Sequence, residues 1–286
     1  MKKIVMTPNP YRDRYFKYAA QAEQILKEVG IETRTCLAFD VDKSFRLPEN
    51  IKLHDLESEL KDADLLICFG GDGTILHASK AAMRAGIPIL GVNIGTMGFM
   101  AELESGEMSE LRRLATDEYT VEERMMLHVE AYDRDGGLLL KDEALNDAVI
   151  TKGAVARTIQ MSVSCDKTEV MSFGGDGVIV STPTGSTGYA MSAGGPIVEA
   201  TARNIIITPI CAHDMQSKTV ITAPSRSICV RIGAIGRKNA FLSVDGGRAI
   251  RLGAEDTVTV TASEKTTKLI HLSQRSFFDV VKNKFR

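Results

Sequence analysis

A glycine turn that follows one apolar segment constrains the fold of this chain more than any other feature. Residues 69–74 read Phe-Gly-Gly-Asp-Gly-Thr. The run before the turn, residues 65–69, has the length and apolarity of a strand that is buried on both faces. The segment after it, residues 75–85, has helical spacing and ends at Gly86. This order predicts a parallel α/β sheet in which the turn opens a helix.

Asp72 places a carboxylate inside this turn. Exposed N–H groups at a helix N-terminus favour phosphate oxygens, and glycines let a phosphate approach the backbone. A carboxylate beside a phosphate is unfavourable unless a Mg²⁺ bridges the two groups or the carboxylate takes a proton from an attacking hydroxyl. The turn by itself also fits a simple chain reversal, so the prediction of a phosphate site depends on further motifs.

The nearly balanced charge limits the classes of partner. Lys and Arg number 35 against 37 for Asp and Glu, and a net charge of −2 gives no electrostatic reason to expect a nucleic acid or an anionic membrane. No apolar run approaches the roughly 20 residues of a spanning helix. The five cysteines are scattered and form no C-x-x-C pair, which indicates reduced thiols. The reduced thiols predict a cytoplasmic protein, and the length of 286 residues predicts roughly two domains.

Strand and helix signals alternate up to about residue 118, the last of them a predicted helix at 107–116, and the pattern then changes. The alternation predicts an N-terminal Rossmann-like α/β domain, and the short β-rich runs that follow predict an all-β, sandwich-like second domain. Near the C-terminus, Phe277, Phe278 and Phe285 predict a short helix that returns to the first domain and buries two phenylalanines. The predicted domains are 1–118 plus 266–286, and 119–265. The main β-rich runs of the second domain are 205–210, 219–223, 228–232, 240–244 and 257–262.

A second glycine-rich block lies in the β-rich part of the chain. Seven of the 24 glycines fall between Gly174 and Gly195, interleaved with hydroxyl side chains. So many backbone donors and small hydroxyls suit a ribose or phosphate ligand. Neither glycine block has the G-x-x-x-x-G-K-[ST] or G-x-G-x-x-G pattern, which disfavours an ordinary P-loop or Rossmann fingerprint.

Four motifs occur in a fixed order, and together they resemble the NAD kinases. They lie at residues 70–74, 91–99, 145–147 and 175–196. The resemblance implies phosphorylation of the adenosine 2′-hydroxyl of NAD by ATP, giving NADP. It also implies an α/β domain similar to that of phosphofructokinases and lipid kinases, a β-rich domain, and a homotetramer or homodimer. Mg²⁺, or another divalent metal, would arrive on the ATP phosphates, because no compact ligand cluster is visible in the sequence.

The resemblance also assigns roles to residues of the first half of the chain. Asp72 matches the proton acceptor and Gly73 the adjoining backbone contact. Phe99 would pack against the adenine. His77 falls at a ligand-contact position, although a solvent-facing place on the first turns of a helix explains it equally well.

The remaining matches lie in the second half. Asn146 and Asp147 match the pair that holds the nicotinamide-side ribose, although Asp147 stands where Glu is usual. Asp245 matches an acidic residue near the reacting ribose. Asp176 would contact the nicotinamide amide or the adenine of a neighbouring subunit's ligand, and Arg157 suits a phosphate. The adenine and ribose loop would comprise Thr187, Gly188, Tyr189 and Ser192, with Gly188 in place of Ala. Near Asp245, Gly247 stands where Gln is common, so that contact would be lost.

Two other functions compete with this interpretation. A lipid or sugar kinase could share the glycine turn but would leave residues 145–147 and 175–196 unexplained. A regulator that binds NADP without turnover would not need Asp72. The resemblance is compatible with NAD or NADH as acceptor and with ATP or polyphosphate as donor.

Overall fold

Helices and strands alternate in the first part of the chain, and strands dominate the second part. The computed structural model describes residues 1–39, 41, 46–47, 51–95, 98–153, 157–214, 216–234, 239–273 and 275–284. The α-helices are α1 (Lys17–Glu28), α2 (Leu56–Glu59), α3 (Asp72–Ala85), α4 (Tyr189–Ser192) and α5 (Phe277–Lys284). The 3-10 segments are Arg14–Phe16, Leu60–Asp62, Met108–Ala115 and Thr184–Thr187.

The strands are numbered in chain order. Those of the first part are β1 (Lys3–Pro8), β2 (Glu32–Cys36), β3 (Leu53–His54), β4 (Leu65–Gly70), β5 (Ile89–Asn93) and β6 (Leu103–Glu104). Those that follow are β7 (Thr120–Tyr132), β8 (Leu138–Ala144), β9 (Asp147–Lys152), β10 (Ile159–Cys165), β11 (Thr168–Gly175), β12 (Gly177–Ser181), β13 (Ile205–Ile210), β14 (Val220–Thr222), β15 (Ile228–Ile232), β16 (Ala240–Val244), β17 (Ile250–Leu252) and β18 (Thr257–His271).

The chain divides into two compact units. Unit 1 is Met1–Glu123 with Thr267–Arg286, and unit 2 is Arg124–Thr266. Unit 1 is an α/β domain and unit 2 an antiparallel β domain, so the predicted fold class is confirmed. The segment from Thr267 onward belongs to unit 1 although it follows the β domain in the chain.

Unit 1 contains a parallel sheet with the strand order β5-β4-β1-β2-β3. Leu269, near the end of β18, pairs with Ile89 of β5, again in parallel. All six residues of β4 are buried, as expected for a central parallel strand. The glycine turn therefore lies at the carboxyl end of a central strand, which is the edge where ligands of open α/β sheets bind.

The segment after the turn forms helix α3 because its apolar residues share one face that can be buried. Ile75, Ala78 and Ala82 are buried at helical spacing. The helix begins at Asp72, three residues before the predicted start, and ends at Gly86, whose φ of +74° is a left-handed C-terminal cap. The sequence signal at Gly86 is thus confirmed.

Unit 2 contains two antiparallel sets of strands that share a core. One has the order β14-β13-β12-β9-β16-β17, and the other includes β11-β10-β15-β18. Ile150 and Val178 of the first set lie in the same apolar cluster as Met161 and Val230 of the second. The two sheets therefore pack face to face as a sandwich. The opposite face of the first set, with Val149 and Ile179, packs against Ala190 of α4.

Three local expectations need correction. The segment 107–116, expected to be an α-helix, is the 3-10 segment Met108–Ala115. The last β-rich run is longer than expected and forms β18. The predicted burial of two C-terminal phenylalanines is wrong: Phe277 is partly buried, Phe278 is 64% exposed, and Phe285 lies outside the described residues. Among the described residues of α5, Phe277, Val280 and Val281 are partly buried and none is fully buried.

None of the helices in the described part of the chain is both long and apolar enough to cross a membrane.

Candidate active site

Asp72 is held at the first turn of α3 by the segment that follows β5. Its carboxylate accepts hydrogen bonds from the N–H groups of Phe99, at 2.8 Å, and Met100, at 3.0 Å. A Cβ atom on Gly98 would lie 2.0 Å from Asp72 Oδ1. Glycine at position 98 is therefore required for this close approach. Because a carboxylate has about four lone-pair directions, both oxygens can still accept a bond from a substrate hydroxyl.

The backbone beside Asp72 is open on its glycine side. Cβ atoms added at Gly71 or Gly73 would meet no atom of the described residues within 4 Å. Packing does not require glycine at these two positions, whereas a close ligand would. At Gly70 the opposite holds, since a Cβ there would lie 2.2 Å from Thr74 Oγ1. Thr74 in turn accepts a hydrogen bond from Asn9 Nδ2 at 3.0 Å, which ties the loop after β1 to α3.

Phe99 and His77 occupy different surroundings in unit 1. The ring of Phe99 is partly buried and lies 6.2 Å from the ring of Phe277 in α5. His77 is exposed on α3, and its ring centroid is 5.4 Å from that of Phe39. The structure thus brings Phe99 to Asp72, while His77 lies one turn and a half further along the helix.

In unit 2, Asp245 holds the start of β9. Its carboxylate accepts hydrogen bonds from the backbone N–H groups of Leu145 at 2.8 Å, Asn146 at 2.8 Å and Asp147 at 3.1 Å. Asp245 has a positive φ of 52°, a conformation that Asp tolerates better than most residues. The left-handed turn after β16 therefore aims one carboxylate at three successive amides, and this fixes the backbone from which Asn146 and Asp147 project.

Asp147 lies next to this buried carboxylate. It is 6% exposed. Burial, followed by the charge of Asp245, raises the pKa of Asp147 from 3.8 to about 7. At neutral pH a substantial fraction of Asp147 is therefore protonated, so that this side chain can donate as well as accept a hydrogen bond.

Asn146 faces the second glycine block. Its carbonyl accepts the N–H of Thr182 at 2.9 Å, and a Cβ on Gly185 would lie 2.1 Å from that carbonyl oxygen. Among the described residues, no donor reaches its buried Oδ1 atom. A Cβ on Gly188 would be 3.5 Å from Asn146 Nδ2, so glycine at position 188 leaves the amide more room than alanine would. A buried amide oxygen without a protein partner points to a ligand donor.

The other candidates of unit 2 differ in their environment. Asp176 is paired with Lys152 at 2.6 Å, a partner that no sequence motif indicates. Thr187 donates from Oγ1 to the carbonyl of Thr184 at 3.2 Å. The side chains exposed to solvent are Arg157, Tyr189 and Ser192.

The candidates for metal binding are limited in the part of the chain that is described. There, no three His, Cys, Asp or Glu side chains lie close enough together to hold a metal ion.

Several residues that build the site carry little signal in the sequence. Gly98 lies in the motif at residues 91–99, and its only sequence signal is its place directly before Phe99. Thr182, whose Oγ1 donates to the carbonyl of Leu145 at 2.6 Å, has no signal beyond its place in a hydroxyl-rich block. Lys152 lies 24 positions before Asp176, and only strand pairing between β9 and β12 brings them together.

Comparison with known proteins identifies the family. The model described as the ATP-NAD kinase N-terminal domain matches residues 6–120, and that described as the ATP-NAD kinase C-terminal domain matches residues 145–272. The chain belongs to the NAD kinase family. Similar NAD kinases include that of Ruminiclostridium cellulolyticum, 34% identical over 99% of this chain and 98% of the relative, and that of Geobacter sp. strain M21, 38% identical over 100% and 99%.

Solved structures support the same NAD kinase fold. A crystal structure of an NAD kinase from Archaeoglobus fulgidus in complex with ATP aligns with a TM-score of 0.75 at 25% identity, covering 99% of this chain and 98% of that one. A crystal structure of yeast NADH kinase complexed with NADH aligns with a TM-score of 0.86 at 22% identity, covering 100% and 87%, and shows a shared fold. The two competing functions, a lipid or sugar kinase and a regulator without turnover, gain no support from these matches.

Proposed function

We propose that this protein is an NAD kinase that transfers the γ-phosphoryl group of ATP to the adenosine 2′-hydroxyl of NAD. The observation that carries the proposal is the match of both NAD kinase domains in their proper order along one chain. The alignments with the two bacterial relatives named above cover almost the whole length of this chain. The O–P bond to the departing ADP breaks as the bond from the 2′-oxygen forms, and the hydroxyl proton must go to a base.

We assign the role of base to Asp72. It lies at the N-terminus of α3, where anionic phosphates are favoured, and two amides orient its carboxylate. Gly73 would let the ligand approach the backbone, and Phe99 would pack against the adenine. Orientation of this kind supplies much of the rate enhancement in phosphoryl transfer. The other unit 1 candidate, His77, would contact the ligand from further along α3.

The unit 2 residues would hold the dinucleotide. Asn146 Oδ1, buried without a donor among the described residues, suits a ribose hydroxyl, and Asp147 beside it suits a second one. Asp245 would act through the backbone that it organises, and Arg157, exposed to solvent, suits a phosphate. The remaining proposed contacts are made by Asp176, Thr187, Gly188, Tyr189 and Ser192.

Three further properties belong to the proposal. Mg²⁺ would arrive with ATP and neutralise its phosphates. A cytoplasmic location is supported by five cysteines that form no disulfide. A homo-oligomer, either a tetramer or a dimer, is supported by exposed apolar side chains on outer strands of unit 2, Val170 of β11 and Ile221 of β14.

The test is incubation with NAD, ATP and Mg²⁺, followed by measurement of NADP with a specific dehydrogenase. We expect NADP from NAD, and none from a dinucleotide that lacks the adenosine 2′-hydroxyl. Asp72→Asn keeps the size of the side chain but removes the proton acceptor, so kcat should fall about 10²- to 10⁴-fold while NAD still binds. Phosphorylation of free adenosine as fast as NAD would contradict a dinucleotide site.

A further inference from the structure

The C-terminal helix contacts a residue that holds Asp72. Among the described residues of α5, none is buried. Nevertheless, two of its side chains lie against Phe99. The ring centroids of Phe277 and Phe99 are 6.2 Å apart, and Lys284 Nζ is 4.2 Å from the centroid of the Phe99 ring. Both distances are within the range of stabilising aromatic and cation–π contacts.

The backbone of the same residue contacts the proposed base. Phe99 donates its N–H to Asp72 at 2.8 Å, and the next residue, Met100, donates at 3.0 Å. Residues 98–100 belong to neither a helix nor a strand. Their position therefore depends on what packs against the ring of Phe99, and α5 supplies part of that packing.

The start of α5 is defined by its own hydrogen bonds. Ser276 donates its N–H to Asp279 Oδ2 at 3.2 Å, and Asp279 donates its N–H to Ser276 Oγ at 3.1 Å. This reciprocal arrangement is a capping box, which fixes where a helix begins. Phe277 is thus placed directly after a defined helix start.

We propose that Phe277 and Lys284 are positioning residues for the phosphoryl transfer. They hold the ring of Phe99 and thereby fix the two N–H groups that orient the carboxylate of Asp72. The proposal rests on the proposed function, because it assigns to these residues an effect on the reaction of Asp72. Their contribution is made through Phe99 and requires no contact with either substrate.

Helix α5 also provides matched controls. Phe278 is adjacent to Phe277 but 64% exposed, and Lys282 is an exposed lysine two residues before Lys284. The double variant Phe277→Ala/Lys284→Ala and the control Phe278→Ala/Lys282→Ala remove the same side-chain types from the same helix. A difference between them therefore cannot come from helix propensity.

We expect the double variant to lower kcat about tenfold and the control to change it less than about twofold, since misplacement of a reacting group by a fraction of an ångström is costly. Lys284→Arg with Phe277→Tyr should retain activity, because guanidinium and phenol keep the two ring contacts. In an Asp72→Asn background, the double substitution should cause no further loss, because the carboxylate through which it acts is already absent.

Three results would overturn the proposal. They are an equal loss in the control variant, failure of the conservative pair to retain activity, and a similar fold-loss in the presence and absence of the Asp72 carboxylate. The last of these would indicate a general effect on stability. Failure of the unaltered protein to make NADP would instead contradict the proposed function, so the two failures are distinguishable.

Discussion

Asp72 depends on neighbours that carry no charge. Two backbone amides orient its carboxylate, and the absence of a side chain at Gly98 allows the carboxylate to reach them. The chemistry of this residue is therefore set by steric fit as much as by electrostatics. Asp245 in unit 2 is oriented in a similar way, because its carboxylate accepts hydrogen bonds from three consecutive backbone amides.

Gly98→Ala tests this steric requirement. The new Cβ would lie 2.0 Å from Asp72 Oδ1, so the carboxylate or the loop must move. We expect kcat for NADP formation to fall about 10²-fold, because a displacement of this size misaligns the base. Gly106→Ala is the matched control, since a Cβ there meets no described atom within 4 Å. Equal activity of the two variants would show that Asp72 does not need these amides.

Asp147 predicts a dependence of stability on pH. Its pKa is about 7 in the folded protein and 3.8 as its ordinary value, so the folded state binds more protons between these values. The stability associated with the protonated group is fully present below about pH 4 and is lost as the pH rises through 7. Asp147→Asn mimics the neutral carboxyl and should therefore not lose this stability as the pH rises.

The unfolding free energy of Asp147→Asn minus that of the unaltered protein should therefore increase by roughly 2 to 3 kcal/mol from pH 5 to pH 8. Urea unfolding at the two pH values measures the difference. Asp135→Asn, at a side chain that is 82% exposed, is the control and should show no such trend. A difference that is constant with pH would contradict the raised pKa.

At the scale of elements, the end of β18 is anchored by buried charge in unit 1. Glu102 is 5% exposed and accepts the N–H groups of Leu272 and Ser273. It also bonds His271 Nδ1 at 2.8 Å, and Glu122 lies 3.7 Å from His271 Nε2. The hydrogen bond to Glu102, together with the nearby carboxylate of Glu122, raises the pKa of His271 from 6.5 to about 9. This cluster holds the returning segment against the α/β sheet.

His271→Gln should consequently destabilise the protein in a pH-dependent way. The charged histidine contributes stability that is fully present below about pH 6.5 and is lost as the pH rises through 9. We expect the deficit of the variant to shrink by roughly 3 kcal/mol between pH 6.5 and pH 9.5 in urea unfolding. His213→Gln, at an exposed position, is the control. An unchanged deficit across this range would rule out the charged pair.

At the scale of the whole molecule, assembly is the property to test. We expect light scattering at micromolar concentration to give two or four times the chain mass of 31.1 kDa. Val170→Lys with Ile221→Lys places charges on two outer strands and should reduce that mass, because charged edges oppose strand-to-strand association. A mass of one chain for the unaltered protein would refute the homo-oligomer.

Local sequence determined the elements and much of the site's composition. The apolar run before the glycine turn, the helical spacing after it and the stop at Gly86 predicted β4 and α3, because these signals act within a few residues. The ordered motifs likewise marked Asp72 and Asn146, and the family resemblance marked Asp245. Local patterns did not predict how far the side chains of α5 are buried. Its phenylalanines have the apolar character of core residues, yet Phe278 is exposed.

Tertiary structure decided which groups meet. Asp72 and Phe99 are 27 residues apart, Asp245 and Leu145 are 100 apart, and Glu102 and Leu272 are 170 apart. Such pairs form only when strand order and register bring distant loops to one edge of a sheet. The raised pKa of Asp147 has the same origin, because desolvation and the nearby Asp245 charge exist only in the folded chain. Sequence therefore specified the chemical groups, and folding specified their distances and their protonation.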